Sequence, residues 1–356
     1  MPPVSELRQQ YPFLPAYYAA GKLPDRVWYR VGSDNRDSEI GLFTAWDARC
    51  IATGTAEDCD LAIKLAEATY QRHDWSDAAG IFRLWYSGPC KADPDLYCGN
   101  FSSGHYPNLF FLPYLISGDE KYILAMEAIY KGYQNLRKKN INGPIIHQSG
   151  RELAWNLRTL AQLAWLQKSG QKMTVDYISA LEATRKTLLA STENPYQAAL
   201  HVLGAKINTG GQQWTGWFEG YIGQVINYVV LLGFEEWRPL AEWHFQQLKA
   251  RAGGQAPMKY LDNDHVKSGL SWQETKLHNE ERMTALAGWP DDELPNYSVN
   301  GTVITYYIRA RIALAWCAMA VQSGIKDAPA VCNSISDAIN RRGQGSEYQE
   351  FAIGLD

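Results

Sequence analysis

His105 and Tyr297 are the residues of this chain best suited to moving a proton, and Arg151 and Asn300 those best suited to holding a carboxylate. An imidazole titrates near neutral pH, and a phenol can give its proton to a departing oxygen. A guanidinium grips a carboxylate through two parallel hydrogen bonds, and an amide can stabilise charge that builds there. These groups meet the needs of β-elimination at a uronate, which removes the proton beside the carboxylate and expels the glycosidic oxygen. Tyr106 and Gln148 lie near His105 and Arg151 in sequence and extend the polar set. Trp214 and Trp217, three residues apart, share one face of a helical turn. They suit a platform for a sugar ring, or core packing. Glu219 reads as a buried acid of raised pKa or as one half of an ion pair with an arginine. His105 reads equally as a histidine bonded to a neighbouring loop carbonyl, and Arg158 as an internal ion-pair partner.

These residues need elements to position them. The clusters Asp34–Asp37, Gly104–Asn108, His147–Glu152, Gln213–Glu219 and Asn296–Asn300 each stand at the start of a long apolar stretch with helical rhythm. Each stretch breaks at a glycine and resumes as a second helix. The hairpins run from Ser38 to His73 about Gly54, from Pro107 to Lys139 about Gly118, and from Gly150 to Ser191 about Gly170. Two more run from Thr215 to Ala252 about Gly233 and from Gly301 to Arg342 about Gly324. Strand signals are scarce, and the segments around Ser87–Gly99, Gly204–Gly211 and Pro290–Pro295 read as loops. A repeating series of long helical pairs predicts an all-α protein, an α/α toroid of about five to six hairpins with first helices inside and second helices outside. One domain over residues 1–356 is expected, with residues 1–36 an irregular N-terminal segment. In that arrangement the polar clusters open on one face, where positive helix N-termini favour an anionic group.

The bulk properties narrow the classes. The 356 residues carry a net charge of -4 with no basic run, which argues against nucleic acid as a partner. No apolar stretch is long enough to span a bilayer. The 13 Trp and 21 Tyr suit a cleft that stacks sugar rings as well as a packed core. The cysteines fall into three close pairs, Cys50 with Cys59, Cys90 with Cys98, and Cys317 with Cys332. None has zinc-ligand spacing, and no metal or cofactor site is expected. The first and third pairs straddle Gly54 and Gly324, so an antiparallel hairpin would bring each within bridging distance. Disulfides imply an oxidising compartment, hence a secreted or periplasmic protein. No signal peptide is visible at the start of the sequence.

The run Gly104-His105-Tyr106-Pro107-Asn108-Leu109-Phe110-Phe111-Leu112-Pro113-Tyr114-Leu115-Ile116-Ser117-Gly118-Asp119 is followed by Arg151-Glu152-Leu153-Ala154-Trp155-Asn156-Leu157-Arg158-Thr159-Leu160. Together they resemble bacterial α/α-toroid proteins related in architecture to polysaccharide lyases and heparinase-like enzymes. The resemblance covers about Gly104–Trp165 and is faint from about Trp28 to Gly54 and from Tyr297 to Ala320. It implies a toroid and an acidic polysaccharide as partner. The Asn-Asn-His-x-Tyr-Trp signature of alginate lyases with that fold is absent, so alginate is not implied. The expectation is a polysaccharide lyase using His105 and Tyr297 as catalytic groups. Arg151, Asn300, Trp214, Trp217, Tyr106, Gln148 and Glu219 would form its binding set. The alternatives are a glycoside hydrolase on the same toroid, drawing on Asp34, Asp37 and Glu219, or a glycan-binding or assembly subunit without turnover.

Overall fold

The computed structural model describes residues 42–44, 47, 50–51, 53–71, 89–90, 93–97, 108–136, 142–145, 150–193, 201, 203, 216–252, 313 and 315–333. Its regular elements are helical apart from one short antiparallel ladder of β1 (Pro89–Cys90) and β2 (Asp93–Tyr97). That ladder falls in the segment Ser87–Gly99, which the sequence predicts to be a loop. At two and five residues its strands are too short to show an alternating pattern. The helices are α1 (Ala56–Gln71), α2 (Phe111–Ser117), α3 (Lys121–Leu136), α4 (Gly150–Lys168), α5 (Tyr177–Ser191), α6 (Gly216–Leu231) and α7 (Arg238–Ala252). A single 3-10 turn, Glu235–Trp237, leads into α7. Residues 315–322 and 328–333 are also helical.

The turns fall where the sequence places them. Gly54, Gly118, Gly170, Gly233 and Gly324 all adopt positive φ. Gly118 closes α2 in the left-handed conformation, its N–H bonding the Tyr114 carbonyl at 2.7 Å. No neighbour crowds the Cβ position at Gly118 or Gly170, so backbone conformation alone selects glycine there. The helices that follow are capped by side chains. Thr55 caps α1, with its hydroxyl on the Asp58 N–H, while Asp58 accepts the hydroxyls of Thr55 and Thr53. Asp119 accepts the Lys121 N–H ahead of α3, and Asp176 accepts both the N–H and the hydroxyl of Ser179 in α5.

In the hairpins α4–α5 and α6–α7, burial separates the two helices. Every residue of α4 from Glu152 to Ala164 is buried, as is every residue of α6 from Ile222 to Val230. The partner helices bury one stripe only. In α5 it is Tyr177, Ala180, Leu181, Thr184 and Leu188; in α7 it is Leu240, Ala241, His244, Phe245, Gln247 and Leu248. That spacing is the signature of a helix with one face in water, whereas α4 and α6 have no solvent face.

The chain forms two compact units, one of residues 1–147 and 152–185, the other of residues 148–151 and 186–356. In the first unit, Asn108 at the start of the second hairpin donates its amide to the Leu42 carbonyl at 2.7 Å. Glu127 of α3 accepts the Thr174 N–H, the Thr174 hydroxyl and the Tyr177 hydroxyl on one oxygen, at 3.2, 2.9 and 3.0 Å. The loop from α4 to α5 is thereby tied to α3. In the second unit Arg238 of α7 donates to the Ser323 carbonyl, and the Ser323 hydroxyl donates to Asn227 of α6 at 2.6 Å. A Cβ on Gly223 would collide with the Trp316 ring, so a glycine lets the helix at 315–322 approach α6 this closely.

Disulfides join Cys50 to Cys59 and Cys317 to Cys332, with Cα separations of 4.5 and 5.4 Å. Each staples a hairpin across its turn. The third expected bridge needs Cys98, which lies outside the described residues, as does the N-terminal segment 1–36. No helix among the described residues is long and apolar enough to cross a membrane. Peptide mapping without reduction should recover the Cys50–Cys59 and Cys317–Cys332 cross-links. Reduction should lower stability by about 2–3 kcal/mol per bridge, since each closes a short loop. Free thiols at these four positions would contradict the fold.

Candidate functional site

Helix α6 carries a buried polar cluster at its start. Glu219, in its first turn, and His244, in the middle of α7, lie at similar distances on either side of the Gly233 turn and meet across the hairpin. Glu219 Oε2 is 2.8 Å from His244 Nε2, and both residues are fully buried. The same oxygen accepts the Leu203 N–H at 2.9 Å, which fastens the preceding segment to α6. A carboxylate taken out of water needs such partners, and stranding one member of a buried pair typically costs about 3–5 kcal/mol. His244 lies flat on Trp316, ring centroids 4.7 Å apart and planes 23° from parallel. A carboxylate oxygen accepts, so Nε2 is the ring nitrogen that turns its N–H to Glu219. Nδ1 has no partner among the described residues.

The first unit holds a second buried carboxyl. Thr44 and Asp47 form a reciprocal cap at the start of the first hairpin. The Asp47 N–H donates to Thr44 Oγ1 at 3.1 Å, and the Thr44 hydroxyl and N–H donate to the Asp47 carboxyl. Asp47 and Thr44 are each 1% exposed. Burial pushes the Asp47 carboxyl up to about 7, against the Thr44 hydrogen bonds and the Arg158 charge, which act to lower it. Arg158 is fully buried and its guanidinium lies 5.1 Å from the Trp155 ring centroid. A carboxyl that stays protonated near neutral pH can donate a proton or a hydrogen bond, the property that general-acid chemistry uses.

The sequence-derived site residues divide sharply. Glu219 is buried and bonded to His244 and Leu203. Arg151 is half-buried in the first turn of α4. Trp217 belongs to α6, but its side chain lies outside the described residues. His105, Tyr106, Gln148, Trp214, Tyr297 and Asn300 lie outside them altogether, as do Asp34 and Asp37. Sequence reading missed His244 and Asp47. For His244 a signal exists: with Gln247 it interrupts an apolar α7 stripe of Leu240, Ala241, Phe245 and Leu248. For Asp47 the Thr-x-x-Asp capping pattern was available.

The two runs behind the family resemblance prove to be mainly core and turn. Leu109, Phe110, Phe111, Leu112 and Ile116 are buried, Ser117 and Gly118 end the helix, and Asp119 caps the next one. In α4, Leu153, Ala154, Trp155, Leu157 and Leu160 are fully buried. Against family models, curated proteins and solved structures, the chain finds no match. Among the described residues no group of three or more His, Cys, Asp or Glu is placed to hold a metal ion.

The Asp47 carboxyl sets a pH dependence of known sign. Its pKa is near 3.8 in water and about 7 in the fold, so between these values the folded state holds a proton that the unfolded chain has released. Its contribution to stability is therefore full below about pH 4 and lost as pH rises to about 7. The loss should be on the order of a few kcal/mol. Urea unfolding at a series of pH values should show this slope in the wild type and a flatter one in Asp47→Asn. Equal slopes in the two proteins would contradict it.

Proposed function

We propose that this chain is an extracytoplasmic polysaccharide-degrading enzyme on an α/α toroid, a lyase that cleaves a uronate-containing glycan by β-elimination. The observation that carries the reading is the alternation of enclosed and half-exposed helices over α4, α5, α6 and α7. A helix wrapped on all sides, followed through a glycine turn by one with a single buried stripe, is what two concentric helical layers require. The resemblance of Gly104–Asp119 and Arg151–Leu160 to toroid lyase-like proteins supports the same architecture and supplies the reaction class. The two disulfides support an oxidising compartment.

In this reading His105 or Tyr297 removes the C5 proton beside the uronate carboxylate, the electron pair forms the C4–C5 double bond, and the C4–O bond breaks. The other of the two residues protonates the leaving oxygen. Arg151 or Asn300 holds the carboxylate and stabilises the charge that develops as the proton leaves. Trp214, Trp217, Tyr106 and Gln148 belong to the sugar-binding surface. The Glu219–His244 pair fastens the residue 201–203 segment to the hairpin on which Trp217 sits, so its part in this reaction is to position rather than to react.

A panel of polyuronates read two ways tests the proposal. The wild type should generate the absorbance of unsaturated uronate together with new reducing ends. His105→Ala and Tyr297→Phe should each lose about 10²–10⁴ in rate with unchanged helical signal, and Arg151→Ala should raise KM. Reducing ends without the absorbance would replace elimination by hydrolysis. Full turnover in both His105→Ala and Tyr297→Phe would remove them from catalysis.

A further inference from the structure

Asn142 and Gly143 stand side by side in a turn between α3 and α4, Asn142 exposed and Gly143 half-buried. A side-chain amide next to glycine lies within reach of the following main-chain nitrogen. With no Cβ, glycine leaves that nitrogen open to approach and lets the backbone rotate toward it. Asn140 offers the comparison, since the residue after it is Ile141, whose branched Cβ crowds the same nitrogen. Exposed turns of this kind are where the chain meets water and tolerates change.

The far side of the pair is held. The Gly143 carbonyl accepts the Gln134 side-chain N–H at 3.3 Å, and the Ile145 N–H donates to Thr184 Oγ1 at 3.1 Å. Gln134, Ile145 and Thr184 are all buried, and Gln134 also donates to the Tyr130 hydroxyl at 2.8 Å. From Gly143 onward the turn is thus fastened to α3 and α5, while Asn142 is open to water. Any change in main-chain length at position 142 acts against those ties.

We propose that Asn142 is a self-modifying site that becomes isoaspartate in the folded protein, and that the change releases Gly143 from Gln134. The Gly143 nitrogen attacks Cγ of the Asn142 amide. The N–Cγ bond forms, the Cγ–Nδ2 bond breaks, and ammonia leaves with the proton from the Gly143 nitrogen. Water then opens the five-membered imide. Opening at the main-chain carbonyl breaks its bond to the Gly143 nitrogen and leaves a carboxylate there, so the chain runs through the former side chain. In sum, an amide and water become a carboxylate and ammonium. The main chain gains one methylene, about 1.5 Å of bond, and position 142 gains a negative charge. The Gln134–Gly143 bond is already past the usual range for an N–H···O contact and is the first to part. This chemistry needs no substrate and is independent of the glycan reading.

The full-length chain, labelled with ¹⁵N in its glutamines, is aged folded in mildly alkaline buffer beside Asn142→Gln. Samples are digested in acidic buffer and mapped by mass spectrometry with fragmentation that separates aspartate from isoaspartate. Asn142 should convert at least tenfold faster than Asn140, with isoaspartate among the products. The side-chain amide resonances of Gln134 should shift in the aged wild type and stay in place in the aged Asn142→Gln. A second Asn-Gly pair, Asn300-Gly301, lies outside the described residues. Both proteins carry it, so the difference between them reports position 142 alone. If Asn142 stays an amide in the folded protein and converts only after unfolding in urea, the fold protects it and the proposal is overturned. If isoaspartate forms and the Gln134 resonances do not move, the release of Gly143 is overturned.

Discussion

Helices α4 and α6 have no side on which to hide a polar group in water. From Glu152 to Ala164 and from Ile222 to Val230 every side chain is enclosed, so each polar residue on these stretches must find a protein partner. The rest of the structure follows from that requirement. Asn156 and Asn227 donate to carbonyls one turn back along their own helices, Thr159 does the same through its hydroxyl, and Asn227 also receives Ser323. Just ahead of the enclosed stretch of α6, Glu219 takes His244 from the next helix and Leu203 from the segment before. A surrounded helix thus recruits its neighbours through hydrogen bonds as well as through apolar contact. In a low-dielectric interior each unmade bond costs more than it would at the surface.

Helices α5 and α7 carry the opposite task. They close the core with one stripe and meet water with the other, and their charges sit where solvent screens them. Lys249 with Asp327, Arg238 with Glu235 and Arg185 with Glu182 are pairs of this kind. Such pairs contribute little to stability individually, typically 0–1 kcal/mol. The Arg238 and Arg185 pairs each lie within one turn and Lys249–Asp327 links α7 to the turn at Gly324, all without the desolvation that Glu219 and His244 incur. The disulfides act at the same turns, Cys50–Cys59 about Gly54 and Cys317–Cys332 about Gly324. Both therefore limit the freedom of a hairpin in the unfolded chain.

Much of this organisation was legible in the sequence because the signals are local. A glycine between two apolar rhythms marks a left-handed turn, and Gly54, Gly118, Gly170, Gly233 and Gly324 all adopt one. Cysteines placed on both sides of such a turn face each other, as Cys50–Cys59 and Cys317–Cys332 do. The site was less legible because its pairings are not local. Glu219 and His244 stand 25 residues apart, and the partner expected for Glu219 was an arginine. His244 sits on an apolar stripe where a histidine looks like a packing residue until its partner is known. The runs that resemble lyase-like proteins have the same ambiguity. Asn108 and Asp119 prove to serve the fold, as a tie to Leu42 and a helix cap.

Amide hydrogen exchange on the native protein tests the division into enclosed and half-exposed helices most directly. The amides of Leu153–Ala164 and Ile222–Val230 should exchange only through global unfolding, with protection matching the stability found by denaturant. The solvent-facing amides of α5 and α7 should open locally and exchange faster. Exchange in α6 as fast as in the exposed face of α7 would contradict the account, because a helix with no solvent face has no local route to water.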